Sequence, residues 1–210
     1  MKHIKTNEIL QMERNYRANF INSIGGFKSV VLIGTKSTIG NENLAVFSSL
    51  FHLGADPALC GIVVRPCDEK QNTLGNIIQN KHYTINHILP DFVKQAHQSS
   101  AKYNEGESEF EKVGLTAQYI DDFIAPFVEE SVIKFGCELV QKITIEENGT
   151  SILIGKIVSI IVPEDVVSED GLIDIEKAGS ITLSGLDTYH RTQKIARLSY
   201  AKTDKSIQEL

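Results

Sequence analysis

No stretch of this chain stays apolar for anything near the roughly 18 residues that a membrane-crossing helix needs, so a membrane partner is not expected. The opening MKHIKTNEILQMERNYR alternates charges with single apolar residues and lacks the apolar core of a secretory signal, which predicts a soluble, cytoplasmic protein. A basic stripe is also missing. The 21 Lys and Arg are scattered against 27 Asp and Glu, for a formal net charge of -6, and nucleic acid is not an expected partner. Cysteine is scarce: Cys60, Cys67 and Cys137 are odd in number and form no CxxC pair, which predicts reduced, mostly buried thiols.

Catalytic signatures are absent as well. There is no GxSxG elbow, and no histidine or carboxylate is placed to complete a triad, which disfavours hydrolase chemistry. The glycine pair of SIGGF lacks GxGxxG spacing and precedes a strand instead of following one, so a doubly wound dinucleotide fold is disfavoured. His52, His82, His87 and His97 fit no common ligand spacing, and no metal site is expected.

What remains is strand-rich. At 210 residues, with 41% apolar and 23% charged, the chain is long enough for one well-buried core. SVVLIGT at 29–35 reads as a strand, KSTIGNEN as a hairpin loop, 43–51 as a second strand broken at Gly54-Ala55-Asp56-Pro57, and ALCGIVV at 58–64 as a third. In TLGNIIQNK, Leu74, Ile77 and Ile78 fall at helical spacing with Thr73 or Asn72 as N-cap, and HYTINHI alternates as a strand. Pro90 opens a helix over DFVKQAHQSSAKY, NEGESEFE reads as a solvated acidic loop, and Asn148-Gly149 predicts a type I′ turn in a hairpin spanning 131–162. The tail from Leu186 reads as mixed and partly helical. Many strands, few short helices and no βαβ rhythm predict a mainly β fold, an antiparallel barrel with helices packed against it.

The stretch NLAVFSSLFHLGADPALCGIVVRP raises a chemical question, because Ser48 and Ser49 stand side by side inside an apolar strand and Arg65 closes the next one. In a regular strand one hydroxyl must face inward, and a buried hydroxyl needs a partner. Arg65, followed by Thr73 and Asn76 at a helix start, is the donor set that holds a phosphate, although an ordinary surface arginine beside an N-cap fits that feature alone equally well.

That stretch, followed in order by TLGNIIQNKHYTINHI, QAHQSSAKY, SEFEKVGLT, IAPFVEESVIKFGCELV, a hairpin ending in ILIGKIV and the closing SGLDTYHR, resembles the flavin reductase-like family of FMN-binding split β-barrels. The resemblance runs from about Gly26 to Tyr200, and divides the chain into an N-terminal extension over 1–25, a split-barrel domain of antiparallel, Greek-key type over 26–200 and a tail over 201–210. It implies FMN as cofactor, NADH or NADPH as electron donor, a homodimer, and electron delivery to flavin or to a partner such as a monooxygenase component. Flavoredoxin-like electron carriage without nicotinamide activity, and a cofactor-free scaffold, are the alternatives. The resemblance places Phe47, Ser48, Ser49 and Leu50 against the flavin, Arg65 and Thr73 near its phosphate, Ser99 and Ser100 as further phosphate or ribityl contacts, and Tyr189 and His190 near the exposed ring face. No residue is expected to act as a general acid or base.

Overall fold

The computed structural model describes residues 1–67, 73–104 and 106–210. Two short helices, α1 (Thr6–Gln11) and α2 (Arg14–Ser23), lead into β1 (Lys28–Lys36). The strand is apolar without alternation because both its faces are covered. Val30 and Leu32 enter one apolar cluster while Val31 and Ile33 enter another. It turns into β2 (Glu42–Ala55) and β3 (Ala58–Val64), which are joined through a cis Asp56–Pro57 peptide. Next come α3 (Thr73–Asn80), β4 (His82–His87), α4 (Val93–Gln98), α5 (Glu109–Val113), and the small pair β5 (Ala117–Gln118) and β6 (Phe127–Val128). The long hairpin β7 (Lys134–Ile145) and β8 (Thr150–Ile161) follows, then β9 (Thr182–Ser184) and β10 (Thr188–His190).

The strands pair in the order β1, β2, β3, β8, β7, β4, and β4 returns to β1, closing a six-stranded antiparallel barrel. Closure removes the exposed sheet edges that an open meander would leave. The interior is filled from all six strands, including Val31, Ile62, Tyr83, Ile85, Cys137 and Leu153, and α3 adds Leu74 and Ile77 to it. The second cluster lies on the other face of β1 and β2, where Leu44, Phe92, Ala96, Phe110 and Leu183 pack. The edge of β1 that holds β4 over Val31–Gly34 holds β9 at Lys28 and Ser29, so the barrel splits there and the β9–β10 hairpin continues the sheet.

Several expectations are corrected. β2 does not stop before Gly54: a register shift between His52 and Gly54 absorbs the irregularity, and the strand runs on to Ala55. The helix at Pro90 is a 3-10 turn over Pro90–Phe92 followed by the short α4, not one helix reaching Tyr103. The end of the acidic run is helical, since α5 begins at Glu109 and buries Phe110 in the outer cluster. Asn148-Gly149 is not a two-residue turn, because the ladder ends at Ile145 opposite Thr150 and leaves four loop residues; Gly149 has φ +71°, while the Asn148 side chain accepts from the Thr150 N–H. Among the described residues, 186–210 contain no helix. No helix among the described residues is long and apolar enough to cross a membrane.

His87 carries a pH dependence. Its Nδ1 lies 2.8 Å from the Ser180 hydroxyl, and burial pushes the imidazole down to about 4. A ring that is neutral when folded takes up a proton on unfolding once the pH drops below its ordinary value near 6.5. Stability is therefore complete above that value and declines as pH falls toward the folded value. After allowance for the ring's remaining exposure, the expected loss between pH 7 and pH 5 is about 1.5 kcal/mol, and urea titrations should show most of it vanish in His87→Gln.

Candidate functional site

Ser48 and Ser49 are adjacent because they form a β-bulge. Val31 pairs with Phe47 and Ser29 with Leu50, which leaves the two serines opposite the single residue Val30. A bulge suspends strand alternation and re-aims side chains. The change of parity is visible in the core: Phe47 and Leu50, three residues apart, both pack on the barrel interior.

The two hydroxyls have different fates. Ser49 Oγ donates to the Val63 carbonyl at 2.9 Å and accepts from the Val63 N–H at 3.1 Å, so it closes the β2–β3 seam where backbone pairing has lapsed. The partner that a buried hydroxyl demands is thus the protein's own backbone. Ser48 is half-buried, and among the described residues its hydroxyl makes no hydrogen bond. The side chains of Phe47 and Leu50 face the interior, and their backbones pair with Val31 and Ser29 on β1.

From the bulge a row of residues runs sideways across the sheet. Leu50 on β2 lies opposite Ser29 on β1, Ser29 opposite Thr182 on β9, and Thr182 opposite His190 on β10. With strands spaced by about 4.8 Å, this row spans roughly 14 Å. Arg65 follows β3 two residues beyond Val63 and is exposed. The structure therefore brings Phe47–Leu50, Arg65 and Tyr189–His190 to one end of the sheet. Tyr189 is half-buried, its phenol 2.9 Å from His97 Nδ1, and burial followed by the Asp187 charge raises its pKa. His190 Nε2 lies 2.8 Å from Ser184 Oγ, and the Phe27 ring stands edge-on to it at 5.0 Å.

Four predicted residues are engaged elsewhere. Thr73 is buried and accepts from Asn43 Nδ2 at 3.0 Å, while Asn76 Nδ2 donates to Thr35 Oγ1 at 3.0 Å, so both dock α3 on the strands. Thr73 lies inside α3 and is not its N-cap; the other N-cap candidate, Asn72, falls outside the described residues. Ser99 Oγ donates to the Ala96 carbonyl and Ser100 Oγ to the His97 carbonyl, at 2.8 and 2.7 Å, the back-bonding that serines make at helix ends. In Ser99 and Ser100 these bonds occupy the hydroxyl donor, whereas Thr73 Oγ1 serves as an acceptor and Asn76 Nδ2 gives one of its two N–H groups.

Lys28 was missed. Its ammonium donates to the Gly185 carbonyl at 2.6 Å and to the Asn22 carbonyl at 3.3 Å, tying the β9–β10 turn and the end of α2 to the start of β1. Burial, and then the neighbouring Arg65 charge, push its pKa down. Among the described residues neither Lys28 nor Arg65 pairs with a carboxylate. A lone lysine before a strand carries no sequence signal that marks it.

Positive charge without a counter-ion among the described residues, a bulge hydroxyl with no partner among them and half-buried aromatic rings suit a planar, polar ligand that carries an anionic group. Among the described residues the same end offers no nucleophile whose paired base is in turn held by a carboxylate.

Comparison with known proteins agrees with this architecture. The profile of the flavin reductase like domain matches residues 25–180. A candidate flavin reductase with a split-barrel domain from Shewanella frigidimarina is 45% identical, with a TM-score of 0.92 over 96% of this chain and 100% of that one. Nitrilotriacetate monooxygenase component B from Bacillus cereus shares the fold at 21% identity, with a TM-score of 0.83 over 94% of this chain and 98% of that one. An uncharacterised protein of Halalkalibacterium halodurans is 30% identical over 155 residues, 71% of this chain and 74% of its own length.

Proposed function

The chain belongs to the flavin reductase-like family, and from that premise we propose that it is an NAD(P)H-dependent oxidoreductase that passes electrons through bound FMN to flavin or to a partner protein. The observation that carries this reading is the end of the sheet where the bulge leaves the Ser48 hydroxyl without a hydrogen bond among the described residues, next to the end of β3 that Arg65 follows and in the row of strands that leads to Tyr189–His190. The 45% identity to the Shewanella protein supports it.

FMN, when bound, supplies the hydride-accepting chemistry. The chain's own tasks are placement and electrostatics. Arg65 would offset the phosphate charge, Ser48 would offer a donor to the ring, and Phe27, Tyr189 and His190 would limit water at the open face. Hydride transfer requires no general acid or base on the protein, which accounts for the lack of a catalytic dyad. The family reading also brings a homodimer, and Val140, Val158 and Ile160 on the outer face of β7 and β8, exposed by 58%, 46% and 60%, give such an interface apolar surface.

The decisive measurement is the visible absorbance of the FMN-loaded protein, mixed without oxygen with NADH or NADPH. Rapid bleaching by at least one of them is expected. Retained colour with both would leave an electron carrier that receives electrons from another protein, and failure to take up FMN would leave a cofactor-free scaffold.

A further inference from the structure

We infer that residues 197–210 form an arm that docks on a second copy of this chain, through an apolar face that its own copy leaves uncovered. The second copy rests on the homodimer of the function proposed above; the arm rests on its own geometry and charge.

Leu198 bridges Glu209 and Lys202 bridges Lys205, both antiparallel, while the Ser199 N–H donates to the Gln208 carbonyl and the Leu210 N–H to the Arg197 carbonyl, each at 2.8 Å. A single register joins all four contacts, so the segment is a two-stranded hairpin that turns at Thr203-Asp204 and sets Tyr200 opposite Ile207. Side chains alternate along a strand, and residues opposite each other share a face. Leu198, Tyr200 and Ile207 therefore lie on one face, and Arg197, Ser199, Gln208 and Leu210 on the other. The more polar face is the one held against the chain's own body. Arg197 pairs with Asp170, and among residues 191–210 only Arg197 and Ser199 are even partly buried. Leu198, Tyr200 and Ile207 are exposed by 57%, 88% and 57%.

An isolated two-stranded hairpin is marginal in water, and one that turns its apolar face outward gains no hydrophobic burial to hold it. Another surface must complete it. Charge names that surface. Residues 191–210 carry five Lys and Arg against two Asp and Glu, whereas residues 1–190 carry 16 against 25, so the basic charge of the arm is complementary to the acidic body of the same chain. Its own body cannot cover the apolar face, because the Arg197–Asp170 pair turns that face away. A second copy offers the same acidic surface together with the exposed Val140, Val158 and Ile160, and Arg191, Lys194, Lys202 and Lys205 pair with no carboxylate of their own copy among the described residues. About a two-fold axis the exchange is reciprocal, so each dimer covers two arms.

Sedimentation equilibrium of the full-length chain tests the arm. The wild type should be a dimer whose dissociation constant rises about threefold or more between about 0.15 M and 0.5 M NaCl. The double variant Tyr200→Glu, Ile207→Glu should weaken the dimer about a hundredfold or more, since each dimer loses two aromatic and two aliphatic anchors and sets carboxylates against an acidic surface. A monomeric wild type, or a double variant that dimerises as the wild type does, overturns the proposal. Photo-crosslinking is the second measurement and needs no destabilising change: benzoylphenylalanine in place of Tyr200, in a mixture of isotopically light and heavy chains, should join light chains to heavy ones within residues 1–190. Links confined to one chain, or none, reject the arm and leave the homodimer to another surface. The flavin chemistry is judged apart from this, because a monomer that is still bleached by NADH or NADPH sinks the arm and keeps the oxidoreductase, while an arm-linked dimer that is not bleached does the reverse.

Discussion

Replacing Gly34 with alanine is expected to destabilise the protein by about 4 kcal/mol, the sum of overpacking and the loss of a buried hydrogen bond. Gly34 lies in the middle of β1, paired with Leu44 on one side and Thr84 on the other, so its backbone has no freedom to retreat. Above its α-carbon the Thr84 hydroxyl donates to the Pro126 carbonyl at 2.6 Å. A Cβ at position 34 would overlap that carbonyl oxygen and stand 2.6 Å from Thr84 Oγ1. The chain just beyond Pro126 is held as well. Val128 N–H donates to Asn86 Oδ1 at 2.9 Å, Asn86 Nδ2 donates to the Leu32 carbonyl at 3.2 Å, and the Lys134 ammonium donates to the carbonyls of Val128 and Glu129 at 3.0 and 3.2 Å. Gly61 makes a useful contrast. The three atoms nearest a Cβ there all belong to the Phe51 ring, which is 37% exposed and can swing away, so Gly61→Ala should cost far less. Urea unfolding of both variants checks the pair. A loss under about 1 kcal/mol in Gly34→Ala would contradict the argument, as would full rescue by adding Thr84→Ala, because the backbone oxygen of Pro126 remains in place.

The strands were readable wherever one local rule governed them. ALCGIVV became β3 with the expected ends, and HYTINH became β4, because burial and β-branching act residue by residue. The site was readable only in part, for three physical reasons. The alternation argument for Ser48 and Ser49 assumed an unbroken period of two, and the bulge that pairs both with Val30 depends on β1, which a local reading of β2 does not include. The meeting of Arg65 with Tyr189 and His190 depends on β9 pairing with the first residues of β1, a contact between the two ends of the domain. Ser99 and Ser100 were donors of the right type in the wrong local geometry, since a serine at the end of a helix finds a carbonyl three residues back before it finds a ligand. Lys28 shows the converse: its neighbours in sequence are ordinary, and its partners are two carbonyls that tertiary structure brings to it.

The bulge also separates two residues that sequence treats as equivalent. Ser49→Ala removes both hydrogen bonds to Val63 and leaves a half-buried N–H and C=O without partners at the seam of β2 and β3; the expected loss of stability is about 3 kcal/mol. Ser48→Ala removes a hydroxyl that bonds to nothing among the described residues, so its stability should stay within about 0.5 kcal/mol of wild type. Flavin affinity should show the reverse order. On the function proposed above Ser48 would serve the ring and not the phosphate, so Ser48→Ala is expected to weaken FMN and riboflavin alike by about fivefold, whereas Ser49→Ala should bind both normally at temperatures where it stays folded. Parallel thermal melts and fluorescence titrations distinguish the two roles. If Ser48→Ala proves the unstable variant, or Ser49→Ala the one with selectively weakened flavin binding, the bulge presents the opposite hydroxyl to the ligand. The pairing of Phe47 with Val31 and of Leu50 with Ser29 would then have to hold with Ser49 turned away from Val63, which would leave the seam open at the point where the strand bends.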